Sequence, residues 1–306
     1  MSHASVVEPM RAANLISGKT LYQVSYVAAP GEGGGPIASS GAVQVGAAVE
    51  IGVMQTPDIL FVIAGGAPMA YDNAAVWAAL RRLSSLGVTL GGVSGGPVIL
   101  ARAGVMAGRR MTVHWEHAYS LEGLEGDWLL ERSLYVMDRD RLTCAGGIAP
   151  LDMMHALIAS HHGSTLAQEV SDWFMHTEVR PAGGPQRGGL IERLGTHSRP
   201  VLEAAAAMEN HVADPLTLPQ LAQIAGVTPR QLTRLFTQKL GQSPMQTYRD
   251  MRLDVAQRLI AQTPTRLTQI ALATGFANSA HFSRAFSARF GHAPSRARLG
   301  TGQDRA

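Results

Sequence analysis

Two stretches near the C-terminal end of this 306-residue chain are variants of one pattern. LTRLFTQKLGQSP (232–244) and FSRAFSARFGHAP (282–294) share Arg234/Arg284, Phe236/Phe286, Gly241/Gly291 and Pro244/Pro294 at an offset of 50, with Leu232 opposite Phe282. Upstream, LAQIAGV (221–227) matches IALATGF (270–276) at an offset of 49, so the second copy has one more residue between its halves. Such self-similarity means one supersecondary unit used twice. In the first copy LPQLAQIA reads as a short helix, Gly226 as a turn, and TPRQLTRLFTQKL as a second helix, with Thr228 as N-cap and Pro229 at the first helical position. In the second copy LTQIALAT, Gly275 and SAHFSRAFSARF follow the same plan, capped by Asn278 or Ser279. A helix, a glycine turn and a second helix form a helix-turn-helix, whose second helix enters the DNA major groove with its early residues at base edges.

Helical spacing turns Leu232, Leu235, Phe236, Phe282 and Phe286 inward. It leaves Arg230, Gln231, Thr233, Arg234, Asn278, Ser279, His281 and Arg284 on the outer faces as candidate DNA contacts. Arg and Gln suit guanine and adenine edges, although arginine equally grips phosphate. The charge distribution agrees. Residues 195–306 carry 13 Lys+Arg against 6 Asp+Glu, and residues 1–194 carry 13 against 17, so a basic C-terminal part follows an acidic N-terminal one.

The segment 200–298 resembles the DNA-binding domain of AraC/XylS-type transcription regulators, through GFANSAHFSRAFSARFGHAPSRAR (275–298), with its turn glycine, three phenylalanines and Gly-x-x-Pro close. The resemblance implies an all-α domain in which a long helix, here about 245–261, joins two helix-turn-helix units that read adjacent major-groove segments of double-stranded DNA. Ala297 stands near a point where many relatives carry tyrosine.

The first 180 residues follow a different rule. YQVSYVA (22–28), ILFVI (59–63) and VTLGGV (88–93) read as buried strands, and AAVWAALRRLSSLG (74–87), PVILARAGVMAG (97–108) and APLDMMHALIASHHG (149–163) as helices. This alternation predicts an α/β domain with a parallel sheet and helices on both faces. The glycine- and proline-rich stretch from 181 to 199 reads as a linker, giving domains of 1–180 and 200–300. The single cysteine, Cys144, excludes an internal disulfide and reads as a small buried residue of a cytoplasmic protein. Apolar runs are too short to span a bilayer, and no signal peptide is apparent, so no membrane partner is expected.

Within this domain GGVSGGPVILARAG (91–104) contains Gly92-Val93-Ser94-Gly95-Gly96, a match to the G-x-S-x-G elbow of serine hydrolases. His114, in TVHWEH, is the available base, and amides at Gly65, Gly66 and Gly95 are candidate oxyanion donors. No acid is singled out to complete a triad, since Glu116, Glu122 and Asp127 are all merely near in sequence. The DILFVIAGG strand, the elbow and the histidine resemble the class I glutamine amidotransferase-like superfamily, which includes PfpI-type proteases; there the elbow residue is cysteine. Joined to an AraC-type domain, the combination resembles the GlxA-like regulators. EPMRAANLISG (8–18), LARAGVMAGRRMTVHWEH (100–117) and RLTCAGGIAPLDMM (141–154) look closest to the subgroup that senses arginine, glycine betaine or carnitine. The resemblance implies a flavodoxin-like sheet whose first strand precedes the EPMRAAN helix; this chain starts inside that helix, so that strand is expected to be missing.

Serine in place of cysteine, the undefined acid and the fused DNA reader favour sensing over catalysis. The expected pocket is lined by Glu8, Ser94, Gly95, His114, Trp115 and Glu116. A carboxylate beside a tryptophan face suits a cationic or quaternary amine. No cofactor is expected. His114 and His117 at i, i+3 invite a metal reading, but no further ligand cluster is evident, and no metal is expected. The expectation is a regulator, not an enzyme: an activator responding to a small amino-acid-derived or quaternary amine, homodimeric, and engaging RNA polymerase. The alternative is a Ser/His amidase or peptidase with a DNA-binding tail.

Overall fold

The computed structural model describes residues 1–30, 36–40, 43–46, 49–122, 124–263 and 265–303. They fall into two units, Met1–Gln186 and Arg187–Ala306.

The first unit is built on strand β1 (Ile59–Ala64), whose side chains alternate between two cores. Leu60, Val62 and Ala64 pack with helix α2 (Ala74–Ser85) and helix α3 (Gly96–Arg102). Ile59, Phe61 and Ile63 pack on the other side with Val6 and Met10 of helix α1 (Ser2–Ser17) and with Met153, Met154 and Leu157 of helix α4 (Ala149–His162). Period-two alternation thus makes a three-layer α/β/α domain. Beside β1 lies β2 (Thr89–Ser94), parallel to it, and beside β2 lies β4 (Arg141–Cys144), parallel to β2. Strand β3 (Tyr135–Asp138) closes that side of the sheet and runs antiparallel to β4, so the sheet is mixed at its edge. Helix α5 (Ser164–Trp173) packs outside α4 and α1 through Ala167 and Val170.

Three local expectations change. Of YQVSYVA only Val27–Ala28 is strand, paired with Val49–Glu50 rather than with the main sheet. The reason lies in Asn14 of α1. Its Oδ1 accepts from the Leu21 and Tyr22 amides at 2.8 and 2.9 Å, and its Nδ2 donates to the Tyr22 carbonyl at 2.6 Å, so this backbone is spent on the helix. Burial also pushes the Tyr22 phenol up to about 12. The helix expected over 97–108 ends at Arg102, where Gly104 (φ +78°) takes the left-handed conformation that stops helices. The residues from 181 onward begin as part of the first unit. Ala182 accepts from the Leu134 amide at 2.8 Å, and Gln186 Nε2 donates to the Val113 and Ser133 carbonyls at 3.0 and 2.7 Å. Within 187–199 a short helix spans Leu190–Leu194.

A buried carboxylate ties the end of the first unit to its core. Asp152, in the first turn of α4, is fully buried. It accepts from His176 Nε2 at 2.9 Å, from the Arg180 amide at 2.8 Å and from Arg180 Nη2 at 2.6 Å.

The second unit is helical. Helix α6 (Arg199–Asn210) packs on a first pair, α7 (Leu218–Ile224) and α8 (Pro229–Leu240), through Val201, Met208, Leu221, Leu232 and Phe236. The long helix α9 (Pro244–Gln262) leads to a second pair, α10 (Leu267–Ala273) and α11 (Ser279–Phe290), and to α12 (Pro294–Gln303). The repeat is visible in backbone angles. Gly226 and Gly275 take φ +65° and +72° in the turns, and Gly241 and Gly291 take +72° and +75° as C-caps. Among the described residues no helix is long and apolar enough to cross a membrane.

All four tryptophans lie in the first unit, so their fluorescence reports it alone. A Cβ on Gly96 would lie 1.9 Å from the Val62 carbonyl oxygen. Gly96→Ala is therefore expected to lower the urea midpoint of the fluorescence transition, by about 1–3 kcal/mol of stability. Phe286 is fully buried, and Phe286→Ala should cost about 3–5 kcal/mol in a transition seen by far-ultraviolet circular dichroism, leaving the fluorescence midpoint in place.

Candidate functional site

The G-x-S-x-G match is a true strand-to-helix elbow. Ser94 ends β2 with φ +61°, a conformation that costs a residue with a side chain about 1–3 kcal/mol, and α3 starts two residues later. Glycines permit the crossing. A Cβ on Gly92 would meet the Pro97 nitrogen at 2.7 Å, and one on Gly91 the Phe61 ring at 2.1 Å. From the neighbouring strand end, Gly146 comes so near that its Cβ would lie 2.6 Å from the Ser94 Cβ and 3.0 Å from its Oγ.

Residues absent from the sequence expectation complete this end of the sheet. Ser2, in the first turn of α1, accepts from the Gly147 amide at 2.9 Å, and Ser5 donates to the Gly147 carbonyl at 3.4 Å. His3 stacks near Tyr26 with ring centroids 5.4 Å apart, and its buried Nε2 has no partner among the described residues. No spacing in the sequence links residues 2 and 147; only the packing of α1 beside the β4 end joins them.

The expected pocket residues fall as follows. His114 follows the elbow in space: its amide donates to the Ser94 carbonyl at 3.3 Å. Its Nδ1 lies 3.6 Å from Glu116 Oε2 and accepts from the Glu116 amide at 3.4 Å. Trp115 stacks near the His114 ring at 5.4 Å. Ser94, His114, Trp115 and Glu116 are all half-buried. Glu8 instead pairs with Arg11 at 2.7 Å, its side chain 41% exposed. The Gly95 amide donates to the Ala64 carbonyl at 2.8 Å, so it is not available to hold an oxyanion. HWEH is a turn rather than a helix face, and no group of three or more metal-ligating side chains occurs among the described residues. Cys144 is buried beneath the site and its thiol is pushed up to about 12.

No hydrogen bond joins the Ser94 and His114 side chains among the described residues, and the Glu122 side chain lies outside them. Burial holds the His114 imidazole below its ordinary value, against the opposing pull of Glu116. The sign follows. The unfolded chain takes up this proton at a higher pH than the folded one, so His114 reduces stability as pH falls below about 6.5 toward the folded midpoint. His114→Gln should flatten the acid side of the urea-midpoint profile, and nuclear magnetic resonance should place the wild-type His114 titration below that of an exposed histidine.

In the second unit the caps are real hydrogen bonds. Thr228 Oγ1 accepts from the Gln231 amide at 3.3 Å, while Gln231 Oε1 accepts from the Thr228 amide and hydroxyl, both at 2.9 Å. Asn278, rather than Ser279, caps α11, its Oδ1 accepting from the His281 amide at 2.8 Å. Thr233 is half-buried and donates its hydroxyl to the Pro229 carbonyl at 2.9 Å. Arg230, Arg234, Ser279, His281 and Arg284 are exposed, and the three arginines make no ion pair among the described residues.

The sequence reading missed what holds the second pair on α9. Arg289 forms ion pairs with Asp250 at 3.0 Å and Asp254 at 2.7 Å. Arg252 lies 4.6 Å over the Phe276 ring and donates to the Gly275 carbonyl at 2.8 Å. Desolvation there lowers its guanidinium value.

An elbow-bearing α/β domain followed by two helix-turn-helix units defines a transcription regulator with an accessory domain. Family models agree: residues 2–160 match the DJ-1/PfpI family and residues 221–299 a helix-turn-helix domain. The HTH-type transcriptional regulator GlxA of Rhizobium meliloti is 43% identical over 303 residues, 99% of this chain and 93% of that protein. The HTH-type transcriptional regulator CdhR of Pseudomonas aeruginosa is 38% identical over 97% of this chain and 88% of that protein. A crystal structure of an AraC family transcriptional regulator from Pseudomonas putida superposes with a TM-score of 0.51 at 23% identity, covering 56% of this chain and 91% of that one, which speaks for the fold alone. The chain belongs to the GlxA-like HTH-type transcriptional regulators, with a DJ-1/PfpI domain and an AraC-type DNA-binding domain.

Proposed function

We propose that this regulator is a cytoplasmic sensor that binds a small amino-acid-derived or quaternary amine in its first unit and reads two successive major-groove segments with its second. The observation that carries the reading is the contrast between the two units. The elbow is intact in backbone but has no activated nucleophile, whereas the recognition helices α8 and α11 leave Arg230, Arg234 and Arg284 exposed without ion-pair partners among the described residues. Ser94, Gly95, His114, Trp115 and Glu116 are the proposed effector-facing residues, with the Gly146–Gly147 turn and Ser2 joining them. Glu8 keeps a place in the proposal only if an effector displaces Arg11 from it.

An effector shifts a regulator only through different affinity for its two DNA-binding arrangements. Homodimerisation, contact with RNA polymerase and activation rather than repression complete the proposal, because paired recognition units gain affinity by engaging successive half-sites. The amidase alternative has no supporting observation in the site.

Thermal-shift screening of the full chain against amines, betaines and amino acids should find a compound that raises its melting temperature. The sensor reading fails if none does. Ser94→Ala should raise the effector concentration needed for reporter expression while leaving the maximal response, whereas amide hydrolysis by the wild type that Ser94→Ala abolishes would restore the enzyme reading. Arg234→Ala and Arg284→Ala should each weaken promoter binding in a gel shift by about 1–3 kcal/mol.

A further inference from the structure

The two recognition helices are built on one plan, and at 3.6 residues per turn their outward lines can be compared directly. In α8 the buried row is Leu232 and Phe236, and the residues opposite it are Arg230, Arg234, Thr237 and Gln238. In α11 the buried row is Phe282 and Phe286, and the residues opposite it are Ala280, Arg284 and Ser287. At an offset of 50, Arg234 corresponds to Arg284, but Arg230 corresponds to Ala280. The first helix therefore presents two guanidinium groups on its outward line and the second presents one.

Of the side chains suited to adenine, Gln238 lies in the last turns of α8, beyond the early residues that meet base edges, and the two early ones are otherwise engaged. A bidentate contact to adenine needs the carboxamide oxygen as acceptor and the amide nitrogen as donor together. Gln231 Oε1 is held at 2.9 Å by both the amide and the hydroxyl of Thr228, and Asn278 Oδ1 is held at 2.8 Å by the His281 amide. Each closes the first turn of its helix, so using it on a base would undo the cap. His281, which corresponds to Gln231, lies edge-on to Phe276 at 5.6 Å.

We infer that the two helix-turn-helix units read unlike DNA segments, both through guanine. Helix α8 reads two guanines with Arg230 and Arg234, and α11 reads one with Arg284. Gln231 and Asn278 hold helix ends and carry no base preference. Four residues of helix advance about 6 Å, against about 3.4 Å per base step, which places the two guanines of the first segment about two steps apart. The operator is then polar, with a guanine-richer half under α8. The inference rests on the second unit reading DNA as proposed above.

The test is selection of duplexes from a randomised library by the full-length protein, followed by binding measurements on the enriched sequence. One arm should hold two guanines about two steps apart and the other arm one. Arg230→Ala and Arg234→Ala should each erase the preference at one position of the first arm, by about 10- to 100-fold, and Arg284→Ala the preference in the second. Arg230→Lys keeps the charge but loses the fork, so it should keep overall affinity and lose most of the preference. Gln231→Ala should lower the melting temperature and leave every preference unchanged. All these side chains are exposed, so the folded variants can be compared by circular dichroism. The inference is overturned if the arginine variants weaken all sequences equally, as phosphate contacts would, if Gln231→Ala changes a base preference, or if the two arms enrich alike. Failure to enrich any sequence would instead overturn the DNA-reading function beneath it.

Discussion

The crossing of β2 and α3 at Gly92, Ser94 and Gly96 is the constraint on which the first unit depends. A helix axis can approach a strand this closely only where side chains are missing, and the Val62 carbonyl fills the space a Cβ at residue 96 would need. The same approach forces Ser94 into the left-handed region. The sheet end thereby presents one hydroxyl to the Gly146 turn, with the His114 backbone fastened to it. Everything read as a pocket follows from this backbone geometry, before any side-chain chemistry is considered.

The second unit depends on a different kind of interaction. Its short helices cannot stand alone, since isolated helices of this length are marginal in water. Packing of Leu232, Phe236, Phe282 and Phe286, a reciprocal cap at Thr228, a single cap bond at Asn278, and the clamp of α9 through Arg252 and Arg289 supply what propensity does not. One consequence is that Gln231 and Asn278 are spent on closing helix ends, while Arg230, Arg234 and Arg284 stay exposed without ion pairs among the described residues.

Much of this was legible in the residues. The repeat, its extra residue in the second turn, the glycine positions, the elbow and the layered α/β order all rest on local rules of period and backbone conformation, and those rules act over a few residues. What was not legible depended on which partner each polar group meets in the fold. YQVSYVA carries a strand's composition, yet Asn14 captures its first amide, at Tyr22, and that of Leu21 before it. Glu8 looked like a pocket carboxylate, yet Arg11 on the next turn takes it. The Gly95 amide looked free for an anion, yet the neighbouring strand's Ala64 carbonyl takes it.

The sequence by itself therefore determined the α/β character of the first part, the repeated helix-turn-helix of the second and the family. Hydrophobic period, caps and turn glycines are properties of adjacent residues, and they survive without a tertiary context. Only the tertiary structure decided which polar groups remain available. Ser2 joins the Gly147 turn, and the Gly95 amide goes to the Ala64 carbonyl, because a hydrogen-bonding group can be used once and its partner is chosen by distance in space.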